Sequence, residues 1–376
     1  MVDFMQNVTE LNVTSREGEY EPAQTIESIV VPIVFAMTFV LGCLGNGTLL
    51  YVVIRHRALK TVPNAYIINL ATADLVMIII CVPFTATVYT LTSWPFGVTI
   101  CKIVDFLQTV STCVVIFTLT ALSIERYKLI LSPSWYQATT SSNRVIISIL
   151  VMWALALLIG MPDLITATVI RYHSSDNQHF CVCTPYPTEW TNYIRYHICA
   201  RFVVLFAIPV IIIAVCYINL AATLMNTGFS SYAVERTALT DDNKLTLSQT
   251  TTGNNVNQMK KRRVKLAGVV LALVLVFIIC WFPRHVYLMW FYFDPGHFNM
   301  TWHVFKITGF CLIFLNSCIN PITIYLLDQT FRSYFNRHLF CCCACVRPQN
   351  DHALSDVTDE VEMTMVTTGP GQLTAV

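Results

Sequence analysis

Charge is scarce in this sequence. Asp, Glu, Lys and Arg together make up 12% of its 376 residues, against roughly 25% in ordinary soluble domains, and that deficit points to lipid. The formal net charge is only +1, so no nucleic-acid partner is expected. Catalytic signatures are missing as well. The chain contains neither HExxH nor GxSxG and no paired intramembrane aspartates for general acid and base work, so neither an enzyme nor a cofactor is expected. There is no tandem repeat and no second globular domain. Residues 1–27 lack the apolar centre of a cleavable signal peptide, which leaves the first apolar run to insert itself.

What replaces charge is apolar length: 55% of the residues are hydrophobic. A bilayer core about 30 Å thick needs roughly 20 apolar residues in a helix, so the distance between successive charges is informative. Charge-free runs cover 28–54, 61–73, 75–101, 106–124, 145–162, 202–234, 266–283 and 307–327. The second and third are separated only by Asp74 and form one segment that turns near "SWPFG" (Ser93 to Gly97). The expected fold is therefore an all-α membrane protein, a bundle of seven transmembrane helices over residues 28–328. Residues 1–27 form the N-terminal segment, 329–345 a short amphipathic helix with a Cys cluster, and 346–376 a disordered, acidic, Ser- and Thr-rich tail.

Orientation follows from Lys and Arg. With the N-terminus outside, sixteen of the 23 basic residues fall in the internal loops and tail, among them Arg55, Arg57, Lys60, Lys128, Arg144 and the run Lys260 to Arg263. The sequons at Asn7 and Asn12 agree with a glycosylated extracellular N-terminus, whereas the one at Asn46 falls inside the first span. Two loops are long. The outer one, 171–195, contains "HFCVCTPYPTEW"; the inner one, 227–262, is rich in Ser, Thr, Asn and charge, buries too little apolar surface to pack, and is expected to be flexible.

Most of the 15 cysteines lie within spans as small hydrophobes. Cys101 starts the third span on the oxidising side, where Cys181 and Cys183 also lie, so one disulfide from Cys101 is expected and spacing leaves its partner open. After the last span, Phe331, Phe335 and Leu339 recur at i, i+4 and i+8, as in a helix lying on the inner membrane surface. Cys341, Cys342, Cys343 and Cys345 follow it and suit palmitoylation rather than metal.

Polar groups inside the spans carry function. An ionisable residue in the bilayer is costly, so Asp74 should face the bundle interior, with Asn46, Asn316, Ser317 and Asn320 able to line the same space. Pro83, Pro162, Pro209, Pro283 and Pro321 each remove a backbone donor, which suggests a bundle able to bend.

The ordered set "GNGTLL" (Asn46), "NLATADL" (Asp74), Cys101, "ERY" (Glu125, Arg126, Tyr127), Trp153, Pro209 with Tyr217, "FIICWFP" (Phe277, Trp281, Pro283) and "NSCINP" (Asn320, Pro321) resembles the rhodopsin-like G-protein-coupled receptors over nearly all of 28–345. "FTLTALSIERYK", "CTPYP", "CWFPRHVYLMWFYFDP" and "NSCINPITIYLLDQTFRSYFNRHLFCC" are similar to bombesin-type peptide receptors, with invertebrate CCHamide receptors nearest and endothelin receptors more distant. The resemblance implies that Glu125 neutralises Arg126 in the closed bundle. On activation Arg126 is released to receive a G-protein helix, with Tyr217 stabilising the released position; Lys128 marks the headgroup boundary. It also implies that Cys183, not Cys181, pairs with Cys101.

Departures from the family pattern are specific. Glu125 replaces the usual aspartate, and Tyr325 falls one residue late, with Ile324 in the expected place, as in the bombesin and endothelin branches. Val115 stands where a serine often helps Asp74 hold sodium, which argues against a sodium site. Amine receptors place an aspartate where this chain has Gln108. Gln108, Trp281, Arg284, His285 and Phe310 would instead offer donors and aromatic surface to a peptide with an amidated C-terminus, and Phe310 stands where bombesin receptors have an arginine. The implied partners are a heterotrimeric G protein of the Gq class, receptor kinases and arrestin, with Ser355, Thr358, Thr364, Thr367 and Thr368 as phosphorylation sites in the tail. A class A receptor for a non-peptide ligand is the first alternative. A transporter is the second, but it would show internal repeats and several midplane charges, where this sequence offers Asp74 alone.

Overall fold

A computed structural model describes residues 17–56, 59, 62–91, 93–131, 141–173, 179–187, 189–238, 247–293 and 299–339. The expected modification sites Asn7, Asn12, Cys341, Cys342, Cys343, Cys345, Ser355, Thr358, Thr364, Thr367 and Thr368 lie outside the described residues. Among the described residues, seven helices are long and apolar enough to cross a membrane: Ile29–Arg55, Asn64–Val88, Gly97–Leu131, Ser142–Thr166, Thr191–Thr223, Val264–Phe293 and Met300–Leu327. In their most apolar windows, 67% of the third span but only 17% of the fourth is buried, so the third is the central pillar and the fourth a peripheral one.

The spans outrun the charge-free runs. The fifth begins at Thr191, inside the stretch read as outer loop, because Arg201 is held within the bundle rather than at its edge. Helix also continues past the spans: Ile208–Ala238 and Leu247–Phe293 extend it into both ends of the inner stretch 227–262. A helix already nucleated by a span propagates one bond per residue and needs no apolar face to do so, and no proline interrupts residues 227–262. The first helix likewise starts at Glu17, within the segment assigned to the N-terminus.

The prolines act locally. Met77–Cys81 and Val203–Ala207 are single π-helical turns, each lying just before Pro83 or Pro209. A proline ring clashes with the carbonyl four residues back and supplies no N–H, so the preceding turn widens. Pro162, Pro283 and Pro321 lie within helices.

Between the fourth and fifth spans lies a feature not foreseen, an antiparallel hairpin of β1 (Thr168–His173) and β2 (His179–Thr184), with Cys183 opposite Val169. It is held in three places. Cys101 and Cys183 form a disulfide with Cα atoms 5.7 Å apart. The Trp94 N–H donates to the Cys181 carbonyl at 2.8 Å, and the Cys181 N–H donates to the Ser93 hydroxyl at 2.8 Å. The "SWPFG" turn that presents these groups closes at Gly97, whose φ of +73° suits a residue without Cβ. Cys181 itself remains a free thiol.

At the opposite end, Asp328 caps the helix Gln329–Leu339 by accepting from the Thr330 N–H at 2.9 Å. Two residues of its apolar stripe face the bundle. Phe331 and Phe335 are 2% and 3% exposed and join the main core with Leu49, Val53 and Ile324. Periodicity locates an apolar face without saying whether protein or membrane covers it.

Candidate ligand cavity and the opposite end of the bundle

Gln108, Trp281, Arg284, His285 and Phe310 converge on one cavity of about 220 Å³ at the hairpin end. The third, sixth and seventh spans supply them, and Cys183 to Tyr186 of the hairpin segment lie over it. An aromatic ladder leads inward from this space: His285 and Trp281 have ring centroids 6.0 Å apart, and Trp281 stacks on Phe277 at 5.7 Å. The Arg284 guanidinium lies 5.9 Å from the centroid of the Phe310 ring. The seventh span comes close here because residue 309 is glycine; a Cβ would stand 3.0 Å from the Arg284 nitrogen.

Four charged residues of this region were not singled out from the sequence. Asp105, Arg201 and Lys306 line the cavity, and Asp163 is fully buried behind it. Arg201 reaches Asp163 Oδ1 at 3.3 Å and also donates to the Thr109 hydroxyl, tying the fifth span to the fourth and third. Tyr186 meets His197 Nδ1 at 3.0 Å, and burial pushes its phenol up to about 12, so it stays protonated. The available signal was a charge interrupting an apolar stretch: read as span boundaries, Arg201 and Asp163 were in fact ion-paired inside the bundle.

Deeper in the bundle the expected polar residues meet. Asn320 donates to Asp74 Oδ2 at 2.8 Å, and Asn46 donates to the Ser317 carbonyl at 2.8 Å. Asn46 is 0% exposed, so its sequon is inaccessible. Pro321 packs so near the first span that a Cβ at Gly45 would stand 2.7 Å from its ring. Val115 is buried and contributes no oxygen beside Asp74. Among the described residues, no group of three or more His, Cys, Asp or Glu could hold a metal ion.

At the end away from the hairpin, Arg126 is 5% exposed. Glu125 lies 3.7 Å from Lys128, so the lysine assigned to the headgroup boundary also meets this acid. The Tyr217 hydroxyl donates to the Ala267 carbonyl at 2.8 Å, bridging the fifth and sixth spans. Tyr325 donates to Asn336 at 2.9 Å, turning toward the helix that follows the seventh span. His56 and His338 place their Nε2 atoms 3.1 Å apart.

Residues 45–325 match the family described as 7 transmembrane receptor (rhodopsin family). The chain is 39% identical over 349 residues to the neuropeptide CCHamide-1 receptor of Drosophila melanogaster, covering 89% of this chain and 65% of that receptor's length. It is 32% identical over 332 residues to bombesin receptor subtype-3 of Ovis aries, covering 87% of this chain and 78% of that protein. It is 30% identical over 317 residues to the [Phe13]-bombesin receptor of Bombina orientalis, covering 83% and 76%. With seven spans, the family's motifs at their places in the bundle, and a match over most of its length, this chain belongs to the seven-transmembrane receptors of the rhodopsin family.

Proposed function

We propose that the chain is a cell-surface receptor for an extracellular, C-terminally amidated neuropeptide, and that it signals through a heterotrimeric G protein of the Gq class to phospholipase C and calcium. The observation that carries this reading is the convergence of Gln108, Trp281, Arg284, His285 and Phe310 on one cavity beneath a tethered hairpin. Its walls mix guanidinium, amide, imidazole and aromatic groups, a lining suited to peptide backbone and side chains. The relatives at 39%, 32% and 30% identity are a neuropeptide CCHamide-1 receptor and two bombesin receptors. The positive-inside distribution supports an outside N-terminus and puts the cavity on the extracellular side.

Arg126, Tyr217, Asn320, Pro321 and Tyr325 then form the coupling machinery at the cytoplasmic half. A ligand shifts the equilibrium between bundle positions only by its difference in affinity for them. Asp105 supplies a carboxylate that Gln108 does not, which raises the amine-receptor alternative. Arg201, Arg284 and Lys306 line the same cavity, however, and three cations disfavour a ligand whose only charge is an ammonium. Receptor kinases and arrestin act on the tail in this reading, with truncation after Arg347 slowing internalisation and leaving G-protein signalling intact.

The test is a peptide-library screen with calcium readout in transfected cells, alongside ligand-dependent nucleotide exchange on added G proteins. An amidated peptide that raises calcium and accelerates exchange supports the reading. A receptor counted at the surface that answers only amines, or none of the library in either assay, refutes it.

A further inference from the structure

His56 follows the last residue of the first span, and His338 lies near the end of the helix Gln329–Leu339 that follows the seventh. Aromatic rings fix both. His56 packs on Tyr334 with centroids 4.4 Å apart, His338 meets Tyr51 edge to face at 5.3 Å, and the two Nε2 atoms stand 3.1 Å apart. Such a contact needs one Nε2–H donor and one bare acceptor, so a single proton lies between the facing nitrogens. Arg55 and Arg337 are exposed beside the pair. Desolvation and the charges of His338, Arg55 and Arg337 hold His56 below its ordinary value, and no carboxylate among the described residues acts on it in return. Like charges gathered around one point repel one another, and a bound anion removes that cost.

The surface that leads to this cluster identifies the source of the anion. Met37, Leu41, Leu44, Tyr51 and Ile54 are exposed and recur three, four or seven residues apart, forming one apolar stripe of the first helix that ends at Arg55. Tyr51, on that stripe, touches His338 directly. An apolar track that runs into a basic cluster at the membrane boundary matches the tail and head of one lipid. We infer that His56, His338, Arg55 and Arg337 bind the phosphomonoester head of an anionic lipid of the phosphoinositide class in the cytoplasmic leaflet. On binding, the pair takes up one proton from water, the hydrogen bond between the imidazoles opens, and both Nε2–H groups donate to phosphate oxygens. A phosphomonoester carries a charge of about −1.5 to −2 at neutral pH, enough to draw that proton in; the phosphodiester of phosphatidylserine concentrates less charge on one phosphate. The leaflet follows from the orientation proposed above, and the peptide ligand plays no part, so failure here leaves the peptide reading standing.

The experiment titrates the purified full chain in detergent with phosphatidylinositol bisphosphate, phosphatidylserine and water-soluble inositol trisphosphate, counting bound molecules by native mass spectrometry. Phosphatidylinositol bisphosphate should bind about 10-fold or more tighter than phosphatidylserine, the worth of at least one charge-assisted hydrogen bond. Arg337→Gln should weaken it about fivefold, the effect of one basic residue at a membrane surface. The double variant His56→Gln with His338→Gln keeps side chains that hydrogen-bond but takes up no proton. The wild-type affinity divided by that of the double variant should rise on acidification from about pH 7.5 to about pH 6, by up to about tenfold per unit for one proton. Taking this ratio cancels the titration of the phosphate itself. Equal binding of the two lipids overturns the inference on the unaltered protein. A ratio that stays constant with pH overturns the role of the histidine pair. Inositol trisphosphate bound as tightly as the lipid overturns the assignment to a membrane lipid and makes the ligand a soluble phosphate.

Discussion

Replacing Arg284 by Ala should raise the half-maximal concentration of the agonist by about 10- to 140-fold, the equivalent of one charge-assisted hydrogen bond of roughly 1.5–3 kcal/mol. The structure separates this from a folding defect. Arg284 lines the cavity, and its described contact is with the Phe310 ring at 5.9 Å; an exposed pair of that kind contributes only about 0.5–1 kcal/mol. Surface counts of Arg284→Ala should therefore stay near wild type while potency falls. Phe310→Ala leaves the guanidinium in place and removes the ring beneath it, so it should cost about 2- to 5-fold. Arg284→Lys keeps the charge but not the planar fork, and should recover only part of the loss. Dose-response curves with calcium readout, normalised to surface counts, measure all three. Normal expression with unchanged potency in Arg284→Ala would refute the reasoning; lost expression with wild-type potency in the remaining receptors would make Arg284 a packing residue.

Cys183→Ser should abolish surface binding and Cys181→Ser should be tolerated, since Cys181 holds the "SWPFG" turn by its backbone and not by its thiol; equal loss from both would contradict this. Gly309→Ala should destabilise the bundle by about 1–3 kcal/mol through overpacking, because the new methyl would meet the Arg284 backbone at 3.0 Å, and thermal inactivation in detergent measures it. His56 sits below its ordinary value through desolvation and the positive charges of His338, Arg55 and Arg337. A base depressed in the folded state stabilises above its unfolded value and loses that contribution as pH falls through it, so the inactivation temperature should drop on acidification below about 6.5. His56→Gln should drop less over the same range, and an identical profile in the two proteins would exclude the mechanism.

The number of spans was legible because lipid tolerates few charges, so distances between charges nearly outline the helices. The same property hid the cavity's charged lining. Arg201 and Asp105 were treated as ends of apolar runs, although an ion pair or a ligand-facing position allows a charge inside a span. Gln108, Trp281, Arg284, His285 and Phe310 were found through the order of family motifs, which carries three-dimensional information that spacing in one chain does not. The hairpin was missed because "TVIRYH" and "HFCVCT" are short, and their pairing depends on Cys101 and the "SWPFG" turn, both remote in sequence. Asp105 could have been found by noting that it precedes Gln108 by close to one helical turn.

The stack of Trp290 on Trp302, with centroids 3.9 Å apart and planes within 6°, fastens the sixth span to the seventh at the hairpin end. Pro283 lies between that fastening and the Tyr217 bond to Ala267. At 1.5 Å per residue the arms on either side of the proline are about 10 Å and about 24 Å. In the proposed function, a turn of the sixth span about Pro283 would make it an unequal lever whose fulcrum lies beside the cavity. A small sideways displacement on the short arm is multiplied roughly twofold at the far end by these lengths. On the long arm the Tyr217 hydrogen bond, worth about 1 kcal/mol, adds to the packing of Val269, Leu273, Val274 and Phe277 in the main core. Loss of that bond alone would change the balance between two positions of the arm about fivefold.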